Sequence, residues 1–207
     1  MKATILIQTL SLLFTIGIPF HNSGKTGNAR PAIYPVIVSE VRTGDIVLRC
    51  GHGLLSDLFR NTSITEKLYS HAGLIVVDNG VPYVYHAIGE GGHGNGGIKK
   101  EILRSFCSDL VSKRFALYRT ELSSDEMKKT VHEINRRIIE TYAFDEKFDW
   151  TTDDALYCTE FIAKVLEQST CFRIRFELDS LKGIPYLALD KLYQNKCFTQ
   201  LQSDSYE

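Results

Sequence analysis

Apolar residues fall three and four apart behind Ser123-Ser124-Asp125-Glu126. Met127, Val131, Ile134, Ile138 and Tyr142 line one face, which predicts an amphipathic helix. Ser123 and Glu126 stand at the spacing of a capping box at its start. A second helical stripe, Leu156, Phe161, Ile162, Val165 and Leu166, predicts a helix with Asp153 or Asp154 as N-cap. Upstream the pattern shortens to β-branched runs. Residues 41–49 read as a turn into a strand, with Asp45 capping the turn, and 69–77 as a buried strand with His71 at its entrance. Asp78-Asn79-Gly80 is a hairpin signal, and 81–87 is the return strand. A short helix and loop are expected over 53–68, a short helix over 101–111, a strand over 114–119, and a loop with a short helix over 181–192. Six glycines in residues 89–97 lack the Gly-Lys-Ser/Thr ending of a phosphate loop and read as a mobile loop near a cleft. A strand-rich centre followed by helices gives an α+β domain.

The amino terminus follows another rule. Lys2 precedes an apolar run to Ile18, then polar His21-Asn22-Ser23-Gly24, the layout of an export signal. Residues 1–24 are therefore expected to be a signal peptide or an N-terminal membrane anchor, and 25–35 a linker. No cysteine follows the run, so a lipoprotein anchor has no thiol to acylate. The expected location is the periplasm, the cell envelope or the exterior. The 207 residues are 43% hydrophobic and 24% charged, ordinary material for one domain with extensions. A net charge of −1 and no dense basic run exclude nucleic acid as an expected partner.

Five cysteines leave at least one unpaired, and no spacing fixes any disulfide. Cys158 stands near the start of the second helix, where the positive end of the helix dipole favours a thiolate. A lone cysteine on an amphipathic helix is more often a small buried hydrophobe, so the rest of the chain must supply its partners. A thiol nucleophile needs a base, and the base needs a third group to hold its tautomer. His71 is the candidate base and His86, on the return strand, the third group. Tyr69 is a candidate oxyanion or cleft residue beside the backbone N–H of Cys158. Glu160 reads as an exposed helix residue, Phe148 and Trp150 as core more than cleft, and His52 and His93 as loop residues. His71, His86 and Cys158 are zinc-type ligands, but no H-x-x-x-H pair accompanies them, so neither metal nor cofactor is expected.

Gly44-Asp45-Ile46-Val47, Tyr69 to Ile75, Tyr83-Val84-Tyr85-His86-Ala87, and Phe148-Asp149 through Leu156-Tyr157-Cys158-Thr159-Glu160-Phe161-Ile162 resemble the circularly permuted papain-like amidases of the YaeF/YiiX type, within the NlpC-type cysteine peptidase superfamily. The histidine precedes the cysteine, the reverse of ordinary papain-like enzymes. The resemblance implies a permuted papain-like domain over 36–207, with a small antiparallel barrel or sheet packed on helices. It implies Cys158 as nucleophile, His71 as base and His86 at a third position where these enzymes often place Glu. The implied activity is hydrolysis of an amide or ester, with cell-wall peptides or another small amide as substrate. A lipid-directed acyl hydrolase or acyltransferase, and a non-catalytic binding module, are the alternatives.

Overall fold

The computed structural model describes residues 40–89 and 96–206. The expected signal or anchor, the linker, His93 and most of the glycine loop lie outside the described residues. No described helix is long and apolar enough to cross a membrane.

The chain runs β1 (Ile46–Gly51), α1 (Leu54–Arg60), β2 (His71–Asp78), β3 (Val81–Ile88), β4 (Gly97–Ile102), α2 (Leu103–Phe106), β5 (Ser112–Thr120), α3 (Ser124–Ile139), β6 (Ala143–Phe144), β7 (Ala155–Leu156), α4 (Cys158–Ser169), β8 (Asp179–Leu181), β9 (Ile184–Tyr186), α5 (Leu189–Tyr193) and β10 (Phe198–Ser205). Six strands form one antiparallel sheet in the order β10-β5-β1-β2-β3-β4. The sheet is open, with β10 and β4 at its edges, so the barrel form of the expectation is replaced by an open sheet packed on helices. One expectation fails locally, and one strand was not expected. Residues 97–102 form a strand where only a helix from 101 was expected, and that helix shrinks to the four residues of α2. The polar carboxyl-terminal segment forms β10, which the sequence did not announce.

Alternation of side chains across the strands gives the sheet two apolar faces. Ile46, Leu48, Leu74 and Tyr85 join Ile134 of α3 and Phe161, Val165 and Leu166 of α4 in the larger core. Val47, Ile75, Val84, Phe115 and Leu117 pack with Leu103 and Phe106 of α2 in the second. The hairpin turns through Asn79 and Gly80, both at positive φ, which lets Asp78 face Val81 across a two-residue loop. Ser123 Oγ accepts the Glu126 N–H and the Glu126 carboxylate accepts the Ser123 N–H, so the expected capping box is present. Asp45 is fully buried and accepts the Arg42 N–H and the Arg119 Nε–H, both at 2.8 Å, fixing the turn into β1.

Gly73 sets the spacing of β2 and β3. A methyl there would lie 2.2 Å from Val84 Cγ1 and 3.4 Å from His86 Cβ. Gly73→Ala is therefore expected to destabilise the domain by about 1–3 kcal/mol in denaturant titrations. An unchanged midpoint would mean that the two strands have slack there.

Candidate active site

Cys158 is the first residue of α4 and Tyr157 is its N-cap. Asp153 and Asp154 do not cap the helix, because Ala155 and Leu156 intervene as β7, paired in parallel with β6. The helix start is anchored instead by Tyr157, whose hydroxyl accepts the Leu187 N–H at 2.8 Å, and by Thr159, whose hydroxyl donates to the Leu187 carbonyl at 2.7 Å. Glu160 is fully buried rather than exposed. It takes the Tyr157 N–H and pairs with Lys164 at 2.8 Å, and burial raises its pKa to about 7. These bonds hold the first turn rigid, with its N–H groups unused by the helix.

His71 opens β2 and sits opposite Arg49 of β1. His71 Nε2 and His86 Nδ1 are 2.8 Å apart. His86 Nε2 is 2.9 Å from Glu101 Oε1. This chain assigns the protons. A carboxylate only accepts, so His86 carries its proton on Nε2 and presents a bare Nδ1. His71 must then donate from Nε2, which leaves Nδ1 as its basic nitrogen. Phe106 covers the relay, stacked on His71 at 5.8 Å between ring centroids and edge-on to His86 at 5.4 Å.

Glu101 was not among the expected site residues. It stands on β4, which pairs His86 with Lys99, so Glu101 lies two residues along on the same face. Burial works against its carboxylate, but the His86 bond and the charges of His86 and Arg49 outweigh it and hold the pKa below the usual carboxylate value. Tyr69 is not brought to the cleft. Its ring is buried in the core, edge-on to Tyr193 at 5.6 Å.

The cleft has a narrow and a wide part. The narrow part, about 30 Å³, is lined by Cys158, His71, Phe144, Phe148 and Tyr157 among others. The wide part, about 450 Å³, shares His71, Phe144 and Phe148 and adds Arg49, His52 and Ser56. Phe148 thus lines the cleft, while Trp150 packs against the core as expected. Phe148 has a φ of 56°, held by Asp145, whose carboxylate accepts the Lys147 and Asp149 N–H groups at 2.8 and 2.6 Å. Its ring meets Phe59, Phe144 and Tyr157 at 5.8, 6.3 and 5.1 Å, forming an aromatic wall.

Burial dominates the electrostatics. It pushes the Cys158 thiol up to about 11, against the lowering effect of the backbone N–H groups of Ala72, Thr159 and Cys158 itself and of the Arg49 charge. It pushes His71 well below 6.5, with His86 and Arg49 acting in the same direction. Burial thus opposes both the thiolate favoured by the helix dipole and the charged form of His71. All five cysteines are free thiols.

An open sheet with a histidine on its second strand, packed against a later helix that begins with cysteine, is the permuted form of the papain-like arrangement. The chain belongs to the permuted papain-like amidase family YaeF/YiiX, C92, whose family model matches residues 40–183, and so to a family of papain-like cysteine amidases and peptidases. Among its relatives is the uncharacterized protein YiiX of Escherichia coli K12, 27% identical over 142 residues, 68% of this chain and 64% of that protein. The chain thus matches just under two thirds of that relative's length. The crystal structure of metalloprotein YiiX from Escherichia coli O157:H7 shares the fold with a TM-score of 0.66 and 21% identity, over 79% of this chain and 98% of that one.

Proposed function

We propose that Cys158 is the nucleophile of a small-amide or ester hydrolase, that His71 is its base, and that His86 and Glu101 position and polarise His71. The observation that carries this reading is the continuous chain from His71 Nε2 through His86 to Glu101, which commits every other ring nitrogen and leaves His71 Nδ1 basic in the cleft it shares with Cys158. The thiol proton passes to His71 Nδ1 as sulfur attacks the carbonyl carbon, and the Cys158 N–H at the helix start faces the developing oxyanion. His71 then protonates the leaving group as its bond to carbon breaks. Water, deprotonated by His71, cleaves the thioester and restores the thiol. Because burial disfavours both charged forms, His71 acts as a general base during attack and not as the partner of a preformed thiolate.

The narrow part of the cleft limits the acyl group. At about 30 Å³ it has room for roughly two waters, which suits a carbonyl with a short substituent and not a lipid chain. This supports small amides, cell-wall peptides among them, over the lipid-directed alternative. Residues 1–24 would take the activity out of the cytoplasm, which fractionation of the full-length protein tests.

The YiiX neighbour is described as a metalloprotein, and the residues here do not fit such a role. The bonds between His71, His86 and Glu101 leave only His71 Nδ1 and Cys158 Sγ as free donors, whereas catalytic zinc takes three protein ligands. Among the described residues no group of three His, Cys, Asp or Glu side chains could hold an ion. No step is routed through a metal.

Glu101→Gln tests the relay. It keeps an oxygen for the His86 Nε2–H but removes the charge that stabilises a positively charged His71–His86 pair. Carboxylates that orient histidines elsewhere contribute about 10- to 100-fold, and a fall of that size in kcat/KM at unchanged melting temperature is expected. Full activity in Glu101→Gln would end the relay at His86.

A further inference from the structure

The wide part of the cleft contains a cation, Arg49, whose charge acts on the relay but whose outer donors the relay leaves unused, and the inference drawn from it rests on the Cys158–His71 reading above. The Arg49 side chain is 14% exposed, and its guanidinium lies 4.2 Å over the Phe106 ring. Nη1 makes two long contacts, 3.4 Å to the Phe106 carbonyl and 3.5 Å to Glu101, whose short bond goes to His86. Among the described residues Nε and Nη2 donate to nothing, and neither is sealed away from the cleft that Arg49 lines. A guanidinium held this far from bulk water with half its donors open is matched by a planar anion, which it can grip bidentately. Glu146 also lines this part of the cleft, but it is exposed.

The chemistry decides which end of the substrate reaches Arg49. His71 hands its proton to the leaving group, so the leaving group lies on the His71 side of the scissile bond. His71 lines both parts, whereas Cys158 lines only the narrow part and Arg49 only the wide one, so a leaving group that passes His71 away from Cys158 enters the wide part. Its volume of about 450 Å³ falls in the range of small-molecule sites. We propose that Arg49 binds a carboxylate carried by the leaving group, so that the preferred substrates are N-acyl amino acids and short peptides cleaved at their last amide bond. In that reaction the C–S bond forms as the C–N bond breaks, and the leaving nitrogen takes the His71 proton. Water then breaks the C–S bond. The released product is an amino acid, and Arg49 takes no part in bond making.

The test is binding without turnover. Cys158→Ala protein is titrated calorimetrically with N-acetyl-phenylalanine and with N-acetyl-phenylalaninamide, each as both enantiomers. The carboxylate is expected to bind about 10- to 100-fold more tightly than the amide for at least one enantiomer, the range of a charge-assisted pair. Adding Arg49→Gln should erase that difference and leave the amide unchanged. If Arg49→Gln does not fold, Arg49→Lys carries the test, since it keeps the charge, loses the fork and is expected to lose most of the preference. Equal affinity for the two probes, a preference that survives loss of Arg49, or no binding of either overturns the proposal. Hydrolysis of the same probes by the wild-type protein is scored separately, so failure of the nucleophile and failure of the carboxylate site are distinguishable.

Discussion

Cys158→Ala protein is expected to fold normally and to lose about 10⁴-fold or more of its hydrolytic activity, measured as kcat on a model amide or ester alongside a melting curve. The fold half of the prediction follows from what anchors α4. Tyr157, Thr159 and Glu160 make the bonds at the helix start, and the thiol makes none that the fold depends on. The activity half follows from the absence of a substitute among the described cleft residues. Ser70 is a rival hydroxyl in the narrow part. Its oxygen accepts from the Ser56 hydroxyl and the Gly51 N–H, and it donates to the Arg49 carbonyl, so both its lone pairs and its proton are committed. Retention of activity in Cys158→Ala would move the chemistry to another residue altogether.

His71→Ala is expected to lower kcat/KM by about 10²- to 10⁴-fold, the usual contribution of a positioned base. The pH profile separates this from a packing effect. Only neutral His71 can accept the thiol proton, and burial together with His86 and Arg49 holds its pKa well below 6.5. Lowering the pH therefore protonates His71 only in the acid range, so wild-type kcat/KM should stay flat down through pH 6.5 and fall below it. At the alkaline end the thiol, pushed up to about 11, imposes no limit near neutrality. The residual activity of His71→Ala should lack the acid limb. An acid limb centred near 6.5 would mean that His71 is more hydrated than its place beneath Phe106 implies.

Much of this site was legible in the chain because its signals are local. Asp78-Asn79-Gly80 between two β-branched runs is enough to make the hairpin that brings His71 and His86 together. The stripe from Leu156 to Leu166 is enough to place Cys158 near a helix start. Glu101 was not legible because it reaches His86 through pairing across strands. It stands in Lys99-Lys100-Glu101-Ile102, a charged run just after the glycines, in which a strand is hard to see. One of its lysines, Lys100, lies over the ring of Tyr83 at 4.0 Å and carries no apolar signal of its own. The polar strand β10 was hidden for a related reason: an edge strand rich in Gln, Ser and Asp has the composition of a loop. The helix cap was misplaced because β7, paired with β6, takes up the residues after Asp154, a contact between segments that no local rule reports. Tyr69 went the same way. It lies before β2 begins, outside the strand's alternation, and its side chain packs into the core against Tyr193. The helix dipole that favours a Cys158 thiolate is visible in the sequence, whereas the burial that opposes it is not.

The most direct test of the Cys158–His71 pair needs no substrate. Alkylation of Cys158 by iodoacetamide, followed by site-resolved mass spectrometry across pH, reports how the thiol loses its proton. A neutral pair that exchanges one proton internally reacts at a rate independent of pH between its two pKa values. The predicted profile is therefore a plateau extending from below pH 6.5 through neutrality, with a rise only as free thiolate appears towards about 11. In His71→Ala the plateau should vanish, leaving the rise alone. A rate that climbs about tenfold per pH unit through neutrality in both proteins would show a thiol that His71 does not assist, and would contradict the mechanism at its first step.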